Sequence, residues 1–223
     1  MRARLDLIQG DCMEGLAEMA DNTFELAIVD PPYGIGMDGA VGGDNCGQVT
    51  RHEQKEWDRS APTWTYFSEL ARVSKNRIIW GANYYPQWLD PSMGWVFWDK
   101  DASGNFSDGE LAYTSFDVAL KKFSFAWMGM RQGDMKNKEQ RIHPTQKPVA
   151  LYKWLLSNYA KEGDRILDTH LGSASIAIAC WDAGFDLTGY ELDPDYYAAA
   201  IARVAKHKAQ GQFEFNDQNG GNQ

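Results

Sequence analysis

Phe24-Glu25-Leu26-Ala27-Ile28-Val29-Asp30-Pro31-Pro32-Tyr33 is the stretch on which the reading of this chain turns. Six mostly apolar, β-favouring residues read as a buried strand. At its carboxyl end the chain delivers an acid, two rigid prolines and an aromatic ring to one point. Ligands of open α/β sheets bind outside the carboxyl ends of the strands. The two prolines fix φ and remove two N–H donors, so the oxygens of Asp30 and Pro31 project as acceptors with no local donor to quench them. Tyr33 adds a flat face beside them. Such a group suits a planar heterocycle with an exocyclic amine, donating to the oxygens while its ring stacks on the tyrosine. Asp-Pro-Pro-Tyr-Gly is also ordinary turn chemistry after a strand, and the remaining sequence has to choose.

At 223 residues, 43% apolar and 13% aromatic, the composition is that of one substantial globular domain and is too short for two. No run approaches the ~18 apolar residues that span a membrane, and the opening MRARLDLIQGD lacks the apolar core of a signal peptide. Cys12, Cys46 and Cys180 are odd in number and widely spaced, which points to a reducing cytoplasm. His52, His143, His170 and His207 are equally scattered. Neither set has the spacing of a metal site, and no metal and no membrane partner are expected.

A net charge of −9 at first argues against a nucleic-acid partner. Its distribution argues the other way. Between Lys121 and Lys147 there are seven basic residues (Lys121, Lys122, Arg131, Lys136, Lys138, Arg141, Lys147) against Asp134 and Glu139, so that segment is +5 and the remainder −14. Phe123, Phe125 and Trp127 are interleaved with it. A solvated hairpin face is the bland reading; a patch that contacts phosphates is preferred, with Lys121, Lys122, Arg131, Lys136, Lys138 and Arg141 as its candidates.

Along the chain, strands at Leu5–Ile8, Phe24–Val29, Arg77–Trp80, Gly94–Trp98, Arg165–Asp168 and Asp186–Tyr190 alternate with helices. The helices are expected at Met13–Met19, about Pro62–Val73, about Pro148–Tyr159 and Ser173–Ala183, the last closed by Gly184. A final helix is capped by Asp193 with Pro194 in its first turn. Glu110–Phe116 and Val118–Trp127 read as an antiparallel hairpin. Gly34 to Ser60 is a breaker-rich loop, and the polar tail from Gln210 is expected to be disordered. Alternation of this kind predicts an α/β fold with a mainly parallel sheet covered on both faces.

Two glycine-containing turns compete for a nucleotide. Gly34-Ile35-Gly36-Met37-Asp38-Gly39 formally matches the dinucleotide fingerprint, but prolines separate it from the strand and no helical period follows, so the match is chance. Leu167-Asp168-Thr169-His170-Leu171-Gly172-Ser173-Ala174-Ser175 is better placed, joining a strand to an apolar helix. Glu191, nineteen residues after Gly172, ends the next strand, where an acid accepts from both hydroxyls of a ribose. Gly172 permits close backbone approach. Ala174 fills the position that would admit a pyrophosphate, which favours an adenosine ligand without phosphates over a dinucleotide.

The arrangement resembles the amino-methylating DNA methyltransferases that use S-adenosylmethionine, in the permuted order called the β class. Asp30-Pro31-Pro32-Tyr33 looks like their catalytic motif and His143-Pro144-Thr145-Gln146-Lys147-Pro148 like the segment ahead of their cofactor strand. Asp168 to Ser175 stands where the family has Asp-x-Phe-x-Gly-Ser-Gly-Thr, Glu191 where it has its ribose-binding acid, and Gly10-Asp11 where it holds the adenine end of the cofactor. His170 in place of Phe, and Ala174 and Ser175 in place of Gly and Thr, depart from the pattern.

The resemblance implies a Rossmann-like methyltransferase fold with a mainly parallel seven-stranded sheet, an antiparallel hairpin and circularly permuted motif order. It implies a single catalytic domain over residues 1–209, with a small target-recognition insertion at about 99–142. Asp30, Pro31, Pro32 and Tyr33 are its catalytic residues; Asp11, Asp30, Thr145, Lys147, Asp168, His170, Gly172, Ser173 and Glu191 bind S-adenosylmethionine. The partner is DNA, in the cytoplasm of a bacterial or phage-infected cell; dimerisation and a restriction partner are left open. A base inside a duplex is out of reach, so it is flipped out onto Tyr33, with the Gly34–Ser60 loop as a lid. None of the cysteines follows a proline, which argues against a cytosine-C5 mechanism. In this family Asp at the first catalytic position goes with adenine and Ser more often with cytosine N4, so adenine N6 is expected. Cytosine N4, an RNA or protein-glutamine acceptor, a non-catalytic nucleic-acid-binding relative and, weakest, a nicotinamide dehydrogenase are the competing readings.

Overall fold

The computed structural model describes residues 3–36, 58, 60–102, 107–128 and 130–219. Most of the expected lid, Gly34 to Ser60, and half of the Gly34–Gly39 turn lie outside the described residues. In chain order the elements are β1 (Leu5–Gln9), α1 (Cys12–Glu18), β2 (Phe24–Val29), α2 (Trp64–Val73), β3 (Ser74–Trp80), β4 (Trp95–Asp99), β5 (Gly109–Thr114), β6 (Lys121–Ser124), β7 (Trp127–Met128), β8 (Arg131–Gln132), α3 (Val149–Tyr159), β9 (Arg165–Asp168), α4 (Ser175–Ala183), β10 (Asp186–Glu191) and α5 (Pro194–Asn219). Two 3-10 turns, Ala82–Tyr84 and Pro86–Trp88, follow β3.

An eight-stranded sheet has the order β1-β10-β9-β2-β3-β5-β4-β6, and β5 alone runs against the rest. The near-continuous apolar run of β2 has a simple cause. Leu26 and Ile28 pack into the core layer that holds Leu151 and Leu155 of α3, Ile176 of α4 and Ala200 of α5. Ala27 and Val29 pack into the opposite layer with Leu16 of α1 and Phe67 and Leu70 of α2. A strand buried on both faces has no polar side to show. Because β1, β10, β9, β2 and β3 are consecutive and parallel, their carboxyl ends form one rim. That rim brings together Gly10, Glu191, Asp168, Asp30 and Gly81, which are scattered over 181 residues of sequence.

The sheet has one strand more than the seven expected. The antiparallel pair is also differently composed: β5 pairs with β4, and β6 lies parallel to β4 on its other side. Both edges of β5 are occupied by β3 and β4, so the following segment adds to the free edge of β4. Phe123 of β6 packs there between Phe125 and Trp154. Helix α4 starts at Ser175, two residues late, because Ala174 stands in the left-handed conformation (φ 57°, ψ 30°). Helix α5 continues to Asn219, through most of the polar stretch expected to be a disordered tail. Among the described residues no helix is long and apolar enough to cross a membrane, and no group of three or more His, Cys, Asp or Glu is placed to hold a metal.

Candidate active site

Two chambers open at the sheet rim and meet at Asp30. The first, of about 510 Å³, lies over the ends of β1, β10 and β9. Its floor is the turn from β9 into α4, where Gly172 (φ 51°) takes a conformation that a side chain makes costly. Glu191 is held by that turn: Oε2 accepts from the Gly172 N–H at 2.7 Å and Oε1 from the Asp193 N–H at 2.9 Å. Each oxygen keeps a further lone pair, and burial raises the carboxyl above its ordinary range. Asp11 caps α1, accepting from the Met13 N–H at 2.9 Å, and lines the same chamber. His170 lies edge-on to Tyr66 with Nδ1 2.9 Å from the Thr169 hydroxyl. Burial lowers its pKa to about 4, so its ring is neutral at pH 7.

Eight of the nine residues expected to bind cofactor line this chamber: Asp11, Asp30, Thr145, Lys147, His170, Gly172, Ser173 and Glu191. Asp168 does not. It is buried beneath the turn, accepting from the His170 N–H at 3.0 Å, and burial raises its pKa to about 8.

The second chamber, of about 490 Å³, lies over β2, β3 and β5. Asp30, Pro32, Thr145, Gln146 and Lys147 border both. Here Tyr33 donates from Oη to Asp30 Oδ1 at 2.7 Å, while Lys147 Nζ donates to Asp30 Oδ2 at 2.5 Å and lies 3.3 Å from the Tyr33 oxygen. The Lys147 ammonium also faces Glu110 Oε2 at 3.1 Å, and Lys100 ion-pairs with Oε1 of that glutamate. Lys147 is 3% exposed at its side chain, which only a paired ammonium tolerates. Burial opposes its charge, yet Asp30 and Glu110 together hold its pKa above the ordinary lysine value. Burial likewise opposes charge on Glu110, but Lys147 and Lys100 bring its pKa down to about 2. For Asp30 burial wins, aided by Glu110, and its pKa is raised despite Lys147. The Tyr33 ring stacks on Tyr84 with centroids 5.0 Å apart and planes 17° from parallel, so part of the aromatic surface expected for a ligand is engaged within the protein.

The basic segment is not gathered into one free surface. Lys122 pairs with Asp99 at 2.6 Å and Arg131 with Asp101 at 2.5 Å, while Lys121 donates to Asn158 at 3.0 Å. Lys136 and Lys138 are exposed. Arg141 turns inward, its guanidinium 4.6 Å over the Trp127 ring, and lines the second chamber. Its Nε and Nη2 are buried with no hydrogen-bond partner among the described residues. Sequence reasoning passed over Glu110, Lys100, Gly81 and Tyr84. The acid Glu110 beside Leu111, Ala112 and Tyr113 in one strand was the available signal, since an acid in an apolar strand needs a partner.

A family model described as DNA methylase, of the N6/N4 kind, matches residues 98–202. The type II methyltransferase M.HpaI of Haemophilus parainfluenzae is 25% identical, over 89% of this chain and 73% of its own. YubD of Escherichia coli K12 is 26% identical, over 94% and 95%. Over residues 98–202 the chain is thus similar to the N6/N4 DNA methylases. The solved structure of the M1.HpyAVI–SAM complex superposes with a TM-score of 0.56 at 17% identity, covering 89% of this chain and 99% of that one. The cytosine-N4-specific PvuII DNA methyltransferase gives 0.59 at 12% identity, covering 94% of this chain and 92% of that one. These likenesses carry the fold: a Rossmann-like methyltransferase α/β sheet, with the permuted order of the two sequence motifs on its rim.

Proposed function

We propose that the protein is a DNA methylase that transfers a methyl group from S-adenosylmethionine to the N6 amine of an adenine flipped into the second chamber. The observation that carries the reading is the meeting of two chambers of similar size at one partly buried acid, Asp30, at the end of β2. Both volumes lie in the range of small-molecule sites.

The residues of the first chamber fit the cofactor. Asp11, Asp30, Glu191 and Asp193 border it with Lys147 as the sole ammonium among the described residues, itself paired, and His170 is neutral. That donor set suits a cationic ligand without phosphates and disfavours a dinucleotide. Glu191 would accept from the ribose hydroxyls on its remaining lone pairs, Asp11 would hold the adenine end, and Gly172 would let the backbone come close. S-adenosylmethionine bound there supplies an electrophilic methyl group.

The chain's own groups then act on the amine. Asp30 and the Pro31 carbonyl accept its two N–H bonds and favour the pyramidal nitrogen of the transition state. Lys147 and Tyr33 hold the Asp30 carboxylate in that orientation by two hydrogen bonds of 2.5 and 2.7 Å. Alignment of nitrogen against methyl supplies much of the remaining rate. Tyr33 with Tyr84 forms the aromatic wall of the base chamber. The Arg141 N–H groups left without a partner offer donors to a phosphate or ring acceptor of the flipped nucleotide. Asp at position 30, where the family's cytosine-N4 members more often carry Ser, supports adenine. Expression in a methylation-free host followed by sequencing of modified bases tests the reading: N6-methyladenine is expected, and N4-methylcytosine would move the assignment to the other branch.

A further inference from the structure

Beyond the Asp30–Tyr33 motif, the second chamber contains a row of four ionised groups in alternating order. Lys100 pairs with Glu110, Glu110 Oε2 faces Lys147 Nζ at 3.1 Å, and Lys147 Nζ reaches Asp30 Oδ2 at 2.5 Å. The row spans β5, the loop after β4, the segment ahead of α3 and the end of β2. Its charges sum to zero, and the side chain of its central ammonium is 3% exposed. Buried ion pairs are poor sources of stability against apolar replacements, so their position beside a reacting group asks for another explanation. The row is a single hydrogen-bonded and ionic path that ends on Asp30 Oδ2, in the carboxylate that accepts from the amine.

We infer that Glu110, acting through Lys147, is a positioning residue that fixes the Asp30 carboxylate and sets how readily it receives the proton shed by the amine. The inference rests on the methyl-transfer reading above. As the amine lone pair enters the new N–C bond, the methyl group leaves its donor with that bond's electrons staying on the donor, and the nitrogen becomes cationic. One N–H proton then passes to the Asp30 carboxylate, which becomes the neutral acid and later returns the proton to water. A neutral row tolerates that transient cation. Without Glu110 the row carries an excess positive charge where a positive charge must form.

Among the described residues, the groups that act on Asp30 come from several elements. Tyr33 and Lys147 hydrogen-bond it, and Glu110 acts through Lys147. Asp168, also buried, adds a like charge when ionised. Tyr66 of α2, Tyr85 between the two 3-10 turns and Tyr152 of α3 feel Asp30 through charge, and burial keeps all three phenols protonated. Burial and Glu110 both push the Asp30 pKa up while Lys147 pulls it down, so the sign of each perturbation is fixed. Removing Glu110 lowers the Asp30 pKa; removing Lys100, which neutralises Glu110, raises it.

The test uses Glu110→Gln and Lys100→Met in the full chain. Both are followed by steady-state methyl transfer from pH 5 to 9, and by carboxyl-13C NMR titration of Asp30 in protein without substrate. Glu110→Gln is expected to lower kcat about ten- to a hundredfold with KM for DNA and cofactor changed less than about threefold. It should move the acid limb of the kcat profile, and the Asp30 titration, to lower pH by about one unit. Lys100→Met should move both to higher pH. Shifts of one sign in both variants, or no shift in either, overturn the inference, because a merely structural role would not split them by sign. Should Glu110→Gln fail to fold, the upward shift in Lys100→Met decides alone. Absence of transfer by the wild-type protein would instead refute the function, with the NMR titration still reporting on the row.

Discussion

Gly81 offers the sharpest structural prediction, because it locks the ring on which the base chamber depends. It follows β3 in the left-handed conformation, with φ at 65°. A Cβ there would lie 2.1 Å from Tyr33 Cε1 and 2.5 Å from Cδ1 and Cζ. The ring cannot simply retreat, since it is stacked on Tyr84 and bonded to Asp30. In Gly81→Ala the left-handed backbone costs about 1 kcal/mol. Displacing Tyr33 adds about 1–2 kcal/mol for the hydrogen bond to Asp30 and about 1 kcal/mol for the stacked pair. The expected loss is therefore about 3–4 kcal/mol. In a Tyr33→Ala background the clash disappears, and the same substitution should cost only the backbone contribution of about 1 kcal/mol. Urea unfolding of the four proteins of this cycle measures the difference, a coupling of about 2–3 kcal/mol. Additivity within about 0.5 kcal/mol would refute the idea that Gly81 exists to admit the Tyr33 ring.

Other consequences follow from the site. Glu191→Ala removes a charged partner worth about 1.5–3 kcal/mol, so calorimetry should show S-adenosylmethionine binding weakened ten- to a hundredfold. His170 has a folded pKa near 4 and an unfolded one near 6.5, so protonation favours the unfolded chain as pH falls through 6.5 toward 4. His170→Phe should recover on the order of 1–2 kcal/mol of the stability lost over that window, read from unfolding at pH 7 and pH 4.5. Lys136 and Lys138 are exposed, whereas Lys122 and Arg131 are paired with Asp99 and Asp101. Alanine at Lys136 or Lys138 should flatten the log–log salt dependence of DNA binding by about one per contact, and alanine at Lys122 or Arg131 by less.

What the sequence disclosed was whatever a strand end brings with it. Asp30 to Tyr33, Gly172 and Glu191 were legible because apolar strands announce their carboxyl ends, and in a parallel sheet those ends share one rim. Glu110 and Lys100 were not, since their meaning lies in contacts with Lys147 and Asp30 across 37 or more residues. The arrangement of the basic segment was hidden for a related reason. Counting charge between Lys121 and Lys147 cannot show that Lys147 is buried under Asp30, that Arg141 lies on Trp127, or that acids just outside the segment pair with Lys122 and Arg131. The order of strands failed at β6 because alternation reports which face a residue takes and says nothing of which neighbour the strand joins.

The most direct measurement is nucleoside mass spectrometry on unmethylated DNA incubated with the protein and methyl-labelled S-adenosylmethionine, run beside folded Asp30→Ala. The account predicts labelled N6-methyladenine from the wild type and a loss of at least about a hundredfold in turnover for the variant, with cofactor affinity retained. N6-methyladenine formed by Asp30→Ala at near wild-type rate, or label found only in cytosine, would contradict it.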